Sequence, residues 1–140
     1  MTSGCRVDNK QKHLEFIQAA ITRMAGNLFL LKGWSITLIA GLFALSAKDS
    51  NIRYMLLAYY PLFVFWGLDG YFLAQERRFR SLYDYVRKLP EAEIDFSMDT
   101  SPFARDFRNK WRGAVFSKTI ATYYGLLAAI MIVLMFALPK

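Results

Sequence analysis

The sequence predicts an all-α membrane protein: three transmembrane helices flanked by an N-terminal amphipathic helix and cytoplasmic helices, packed as an oligomeric bundle. Three observations predict it. The apolar runs 28–47, 52–74 and 114–138 each exceed the roughly 18 residues that separate a bilayer span from a buried core helix. With 55% hydrophobic and 16% aromatic residues in 140, and a positive mean hydropathy, the composition lies beyond the usual soluble balance, and the surplus sits in those runs. Cations crowd residues 1–32 and 75–118 and leave only Lys48 and Arg53 bordering the break at 48–51. By the positive-inside rule the N-terminus and the 75–118 segment are then cytoplasmic, and the 48–51 turn and Lys140 lie outside. Residues before 28 are too polar for the apolar core of a signal peptide, so the first span serves as an uncleaved insertion signal.

Residues 1–27 read as a cytoplasmic helix. From Asn9 the apolar positions Leu14, Ile17, Ile21, Met24 and Leu28 recur at spacings of three and four, while Gln11, Lys12, Glu15, Gln18 and Arg23 lie elsewhere around the helix. Its polar face is mixed in sign, which suits packing on another helix better than lying on anionic lipid. Gly26-Asn27 supplies a bend into the first span.

Residues 28–74 read as a membrane hairpin. Each arm carries one strong charge, Lys32 and Asp69, some eighteen or nineteen residues from the turn. At about 1.5 Å per helical residue the two reach the same depth. An unpaired charge costs roughly 2.5–3.5 kcal/mol at the bilayer centre and less near the interface. Two arrangements answer that cost: a Lys32–Asp69 contact within or between subunits, or Lys32 reaching headgroups while Asp69 meets water. Gly33, Thr37 and Gly41 form a small-residue row that lets another helix approach closely. Lys32, Asp69 and Thr37 are the candidate pore or gate residues. Pro61 lacks a backbone donor and predicts a kink in the second span.

Residues 75–113 continue the second helix through Glu76, Arg80 and Asp84, paired at i,i+4, to Pro90. Phe79, Leu82 and Val86 make an apolar stripe, the natural dock for the N-terminal helix. An acidic loop with Glu91, Glu93, Asp95 and Asp99 follows, and Asp99-Thr100-Ser101-Pro102 predicts the start of an interfacial helix over 103–112, with Phe103, Phe107 and Trp111 at spacing four. The third span occupies 114–140, with an uncharged stretch at 126–138 and a small-residue face of Thr122, Gly125 and Ala129.

The residues exclude most chemistry and leave one binding surface. Cys5 and His13 are each alone, no glycine-rich phosphate loop or metal-ligand cluster occurs, and neither a cofactor nor enzymatic activity is expected. Arg77, Arg78, Arg80, Tyr83, Arg87, Lys88, Arg108 and Arg112 combine guanidiniums with an aromatic ring, the ingredients of a polyanion site, and repetition around an oligomer would form a basic vestibule. The bland alternative is a positive-inside face beside anionic lipids.

Two stretches carry a resemblance. Residues 14–34, with the run Ile21-Thr-Arg-Met-Ala-Gly-Asn-Leu-Phe-Leu-Leu-Lys-Gly-Trp34, and residues 65–83, Phe65-Trp-Gly-Leu-Asp-Gly-Tyr-Phe-Leu-Ala-Gln-Glu-Arg-Arg-Phe-Arg-Ser-Leu-Tyr83, resemble small bacterial membrane effectors of antiphage defence. The plan of cytoplasmic helix, membrane hairpin and charged cytoplasmic helix is similar to SLATT-type effectors, and further to the channel subunits of Hailong systems. SLATT-type domains have two spans, so the third is a departure. The resemblance implies an inner-membrane homo-oligomer, such as a tetramer, with its N-terminus cytoplasmic and its C-terminus periplasmic. It also implies an ion channel held shut by a single-stranded DNA oligomer, or another nucleotide signal, from a partner nucleotidyltransferase. Opening would depolarise the infected cell. A non-conducting membrane anchor that recruits a cytoplasmic partner is the alternative from another class.

Overall fold

A computed structural model describes the backbone of residues 3–49 and 52–137 and the side chains of 9–48 and 53–137. The Cys5 side chain, Ser50 and Asn51 of the predicted turn, and Lys140 lie outside the described residues. Among the described residues five α-helices succeed one another: α1 (Ser3–Asp49), α2 (Ile52–Leu57), α3 (Tyr59–Lys88), α4 (Trp111–Val115) and α5 (Lys118–Ala137). Short 3-10 turns, Glu91–Glu93, Ser101–Arg105 and Phe107–Asn109, occupy the link between α3 and α4, and no strand occurs among the described residues.

The helix does not break at Gly26-Asn27: the expected N-terminal helix and first span are one continuous helix, α1. The reason is packing. Ile17 and Ile21 bury against Leu82 and Val86 of α3, and further along α1 Ile39 and Phe43 bury against Met55, Ala58 and Leu62 of α2 and α3. Both halves of α1 are thus held by packing, and α3 contributes to each. The space beside Gly26 is open: a methyl group added there would meet nothing within 4 Å, so no contact demands a turn. A glycine in a helix interior costs about 1 kcal/mol relative to alanine, too little to break a helix held on both sides.

The proline expectation is met by a break three residues upstream of Pro61. Pro61 lacks the N–H that would bond the Leu57 carbonyl, and its ring crowds that carbonyl. The chain responds at Ala58, whose N–H is shared between the Tyr54 and Met55 carbonyls at 3.1 and 3.2 Å before α3 begins at Tyr59. Ala58 is fully buried, so the kink is packed rather than loose.

The predicted interfacial helix over 103–112 is replaced by the two 3-10 turns and the five-residue α4. Asp106 is the cause: its backbone is extended (ψ 131°), and its side chain accepts from the Arg108 N–H, restarting the chain there. Buried Asn109 then pins the segment to α3, donating to Ser81 Oγ at 3.1 Å and to the Phe103 carbonyl at 3.0 Å. Phe103 packs against the cluster of Ile17, Ile21, Leu82, Val86 and Ile94 while Phe107 and Trp111 stay exposed, so the three rings do not share a face. The third span likewise starts at Lys118 rather than 114, after a break at Phe116-Ser117.

Three helices are long and apolar enough to cross a membrane. In the most apolar stretch of each, only 17%, 22% and 17% of the residues are buried within the chain. Phe29, Tyr60, Phe63, Val133 and Phe136 are among the exposed side chains. An apolar surface of that extent is stable only against lipid or further protein.

Candidate functional site

Lys32 sits one turn inside the apolar part of α1, and Asp69 two-thirds of the way along the apolar part of α3. Because α1 and α3 run antiparallel and pack along their length, the two meet within one chain: Lys32 Nζ donates to Asp69 Oδ2 at 2.8 Å. The Asp69 side chain is fully buried and that of Lys32 is 27% exposed, so the aspartate is enclosed and the lysine reaches it from an accessible side. Of the two arrangements the sequence leaves open, this is the intrachain pair.

Three further side chains, which sequence reasoning missed, complete the site. Ser35, fully buried one turn after Lys32, donates to the Lys32 carbonyl at 2.9 Å. From α5, Tyr123 donates to the same carbonyl at 3.1 Å and lies 3.4 Å from Ser35 Oγ, with Lys32 Nζ 5.7 Å from the centre of its ring. Tyr124, fully buried, is stacked on Trp66 at 6.0 Å and meets the Tyr123 ring edge-on at 4.9 Å, and its hydroxyl has no hydrogen-bond partner. Asp69 Oδ1 also lacks a hydrogen-bond partner. One helical turn from Lys32 to Ser35 was a legible signal, but which face α5 would present was not.

Thr37 does not belong to this site. It is exposed on α1, and its hydroxyl bonds back to the Gly33 carbonyl at 2.9 Å. Gly33 and Gly41 beside it face open space.

α4 is fixed to α3 just beneath the site. Trp66 Nε1 donates to the Val115 carbonyl at 3.1 Å, and Trp111 Nε1 to the Gly67 carbonyl at 2.9 Å. Gly70 permits the approach: a methyl group there would overlap Val115 Cγ2 and stand 3.1 Å from Val115 Cα.

The candidate ligand residues divide between two surroundings. Arg77 donates to the Arg108 carbonyl at 2.8 Å, and Arg78 Nε to the Asn109 carbonyl at 3.1 Å, so both guanidiniums hold the α3–α4 link. Arg80 pairs with buried Glu76 at 2.7 Å, and Arg87 with Asp84 at 3.2 Å. Arg80 and Tyr83 line a cleft of about 260 Å³ with Gln18, Ile21 and Asp84. Lys88, Arg108 and Arg112 are exposed. The eight residues therefore do not converge on one pocket within the chain.

A second feature escaped the sequence. His13 is buried under Phe96, edge-on with centroids 5.5 Å apart, and Phe96 holds a left-handed backbone (φ 56°) that bulky residues adopt only under constraint. Across the layer, Lys10 Nζ donates to the Leu89 and Arg87 carbonyls at 2.7 and 3.3 Å, clamping α1 to the C-terminal end of α3.

Fold and site together define an all-helical protein with three membrane-length helices and a buried lysine–aspartate pair where they meet. Comparison with family models, with curated proteins and with solved structures finds no match to this chain.

Proposed function

We propose that this chain is the subunit of a homo-oligomeric bacterial inner-membrane channel whose opening depolarises the cell, with its N-terminus and the α3–α4 link on the cytoplasmic side. The observation that carries the reading is the Lys32–Asp69 pair: a fully buried carboxylate at membrane depth is costly and is kept where it serves a path, a gate or a relay. The apolar surface left uncovered on all three long helices supports assembly with further copies. A role in antiphage defence, with a nucleotide signal holding the channel shut, follows from the SLATT-like and Hailong-like resemblance.

Expression in bacteria carrying a potential-sensitive dye tests the reading. Induction of an active assembly collapses the potential, and Asp69→Asn changes the rate at which it does so. Proteoliposomes that pass no ion at any applied potential, with wild type and variant alike, overturn it.

One observation favours the anchor instead: Arg77, Arg78, Arg80 and Arg87 already have partners inside the chain, leaving Lys88, Arg108 and Arg112 to meet a polyanion. An anchor is harmless when overexpressed and copurifies with a soluble protein.

A further inference from the structure

The site around Asp69 contains more oxygen than its lysine uses. An ammonium has three donors. Here one reaches Asp69 Oδ2, while Asp69 Oδ1 and the Tyr124 hydroxyl, both buried, have no hydrogen-bond partner. Beside them, Ser35 Oγ, Tyr123 Oη and the Lys32 carbonyl form a hydrogen-bonded cluster within 2.9 to 3.4 Å of one another, and the Lys32 Nζ that reaches Asp69 stands 5.7 Å from the centre of the Tyr123 ring. Unsatisfied oxygens in a low-dielectric interior cost free energy that a lysine pair alone does not require.

We propose that Asp69, with the oxygens of Ser35, Tyr123 and Tyr124, is a binding site for a bare monovalent cation, and that the Lys32 ammonium occupies it here as a tethered plug. The inference rests on the channel reading and names what the channel passes and what closes it. Charge selects the ligand class. Asp69 is the one acidic side chain among the described residues of the runs 28–47, 52–74 and 118–137, and the other oxygens are neutral, so a single positive charge balances the site and a divalent ion leaves one in excess. Coordination agrees with charge: hydroxyl, carbonyl and carboxylate oxygens can replace a hydration shell, as rings of oxygen do in selective pores. Access is on the lysine's side. Its long apolar stem lets the ammonium withdraw toward the headgroups, which vacates the cage while the aspartate stays enclosed.

Two arms test the proposal with the full chain in detergent and in proteoliposomes. In detergent, thermal unfolding is followed in potassium, sodium and choline chloride at equal ionic strength. Lys32→Ala gains a midpoint shift on the order of 5 °C in potassium or sodium over choline, and Lys32→Ala/Asp69→Asn loses it. Wild type shows no such difference because its site is filled. Should Lys32→Ala fail to fold, Lys32→Gln, which keeps most of the stem, takes its place. Equal midpoints in all three salts mean that water alone fills the space, and the proposal falls. In proteoliposomes Lys32→Gln carries potassium or sodium faster than wild type. Salt-specific stabilisation without flux in any variant keeps the cation site and removes the channel. Flux through wild type that Lys32→Gln leaves unchanged keeps the channel and removes the plug.

Discussion

Replacing Gly70 by alanine adds one methyl group at the closest approach of α3 and α4. The new carbon would overlap Val115 Cγ2 and stand 3.1 and 3.2 Å from Val115 Cα and Cβ, so the backbone of α4 has to move as well as a rotamer. Overpacking of this kind costs roughly 1–3 kcal/mol. The upper part of that range applies, because α4 is pinned on either side by the Trp66–Val115 and Trp111–Gly67 hydrogen bonds and cannot slide away. Alanine recovers up to about 1 kcal/mol of helix propensity. The net loss is about 1–2 kcal/mol, read as a fall of about 5 °C in the thermal midpoint by circular dichroism in detergent. Gly67→Ala is the control: its methyl would meet only Trp111 Cζ2, at an ordinary 3.8 Å, so the midpoint holds or rises slightly. Val115→Ala in the Gly70→Ala background removes the overlapping methyl but leaves the close Cα and Cβ, so rescue is partial, with a favourable coupling of about 1 kcal/mol. A Gly70→Ala protein as stable as wild type, or a Gly67→Ala protein destabilised equally, would refute the claim that α4 docks on α3 through this contact.

Gly33→Leu fills open space in the single chain, so helicity is unchanged while the assembled fraction in size-exclusion chromatography with light scattering falls; an unchanged mass would show that subunits do not meet on this face. Lys10→Met removes the clamp on the Leu89 and Arg87 carbonyls, about 1 kcal/mol, and amide exchange at the C-terminal end of α3 speeds up several-fold while the apolar helices keep their protection. The hydroxyl and the N–H of Ser101 donate to Asp99 and hold its carboxyl below the usual carboxylate range. A lowered folded-state pKa means that the turn's stabilisation is present above the ordinary carboxylate pKa and is lost as pH falls through the folded value. Ser101→Ala therefore moves the Asp99 titration, followed by NMR, upward, and an unmoved titration would show that the hydroxyl's hydrogen bond does not form.

The helices and their depth were legible because they depend on local quantities. Run length and composition specify three membrane-length helices, and counting residues from the 48–51 break puts Lys32 and Asp69 at one level without knowledge of side-chain packing. Legibility failed where tertiary contacts override local signals. Gly26-Asn27 carries a bend signal, yet α1 runs through it unbroken because both of its halves are held by packing. Thr37 lies near Lys32 in sequence but on a different face. The 103–112 segment has the ring spacing of a helix, but Asp106 interrupts it with a local bond from the Arg108 N–H, and Asn109 ties it to Ser81, far along the chain. The arginines of α3 showed as a basic run, but not that Arg77 and Arg78 would bond the carbonyls of a link some thirty residues later.

The third long helix acquires a physical reason from Asp69. In a bare hairpin, Lys32 could meet one carboxylate oxygen and the other would face lipid, which no internal group would satisfy. α5 closes that side. Tyr124 is fully buried and held flat against Trp66, and Tyr123 bonds the Lys32 carbonyl, tying α5 to α1 at the level of the ion pair. A tyrosine suits both positions, since its ring packs among apolar side chains while its hydroxyl faces the polar cluster. Tyr124→Phe keeps the ring and removes the oxygen. If α5 only shields Asp69 from lipid, that variant is as stable as wild type or more so, because an unpaired hydroxyl is gone. If the hydroxyl belongs to a cation site, Tyr124→Phe combined with Lys32→Ala loses stabilisation by potassium or sodium while keeping its midpoint in choline. The two outcomes separate cover from coordination at a single atom.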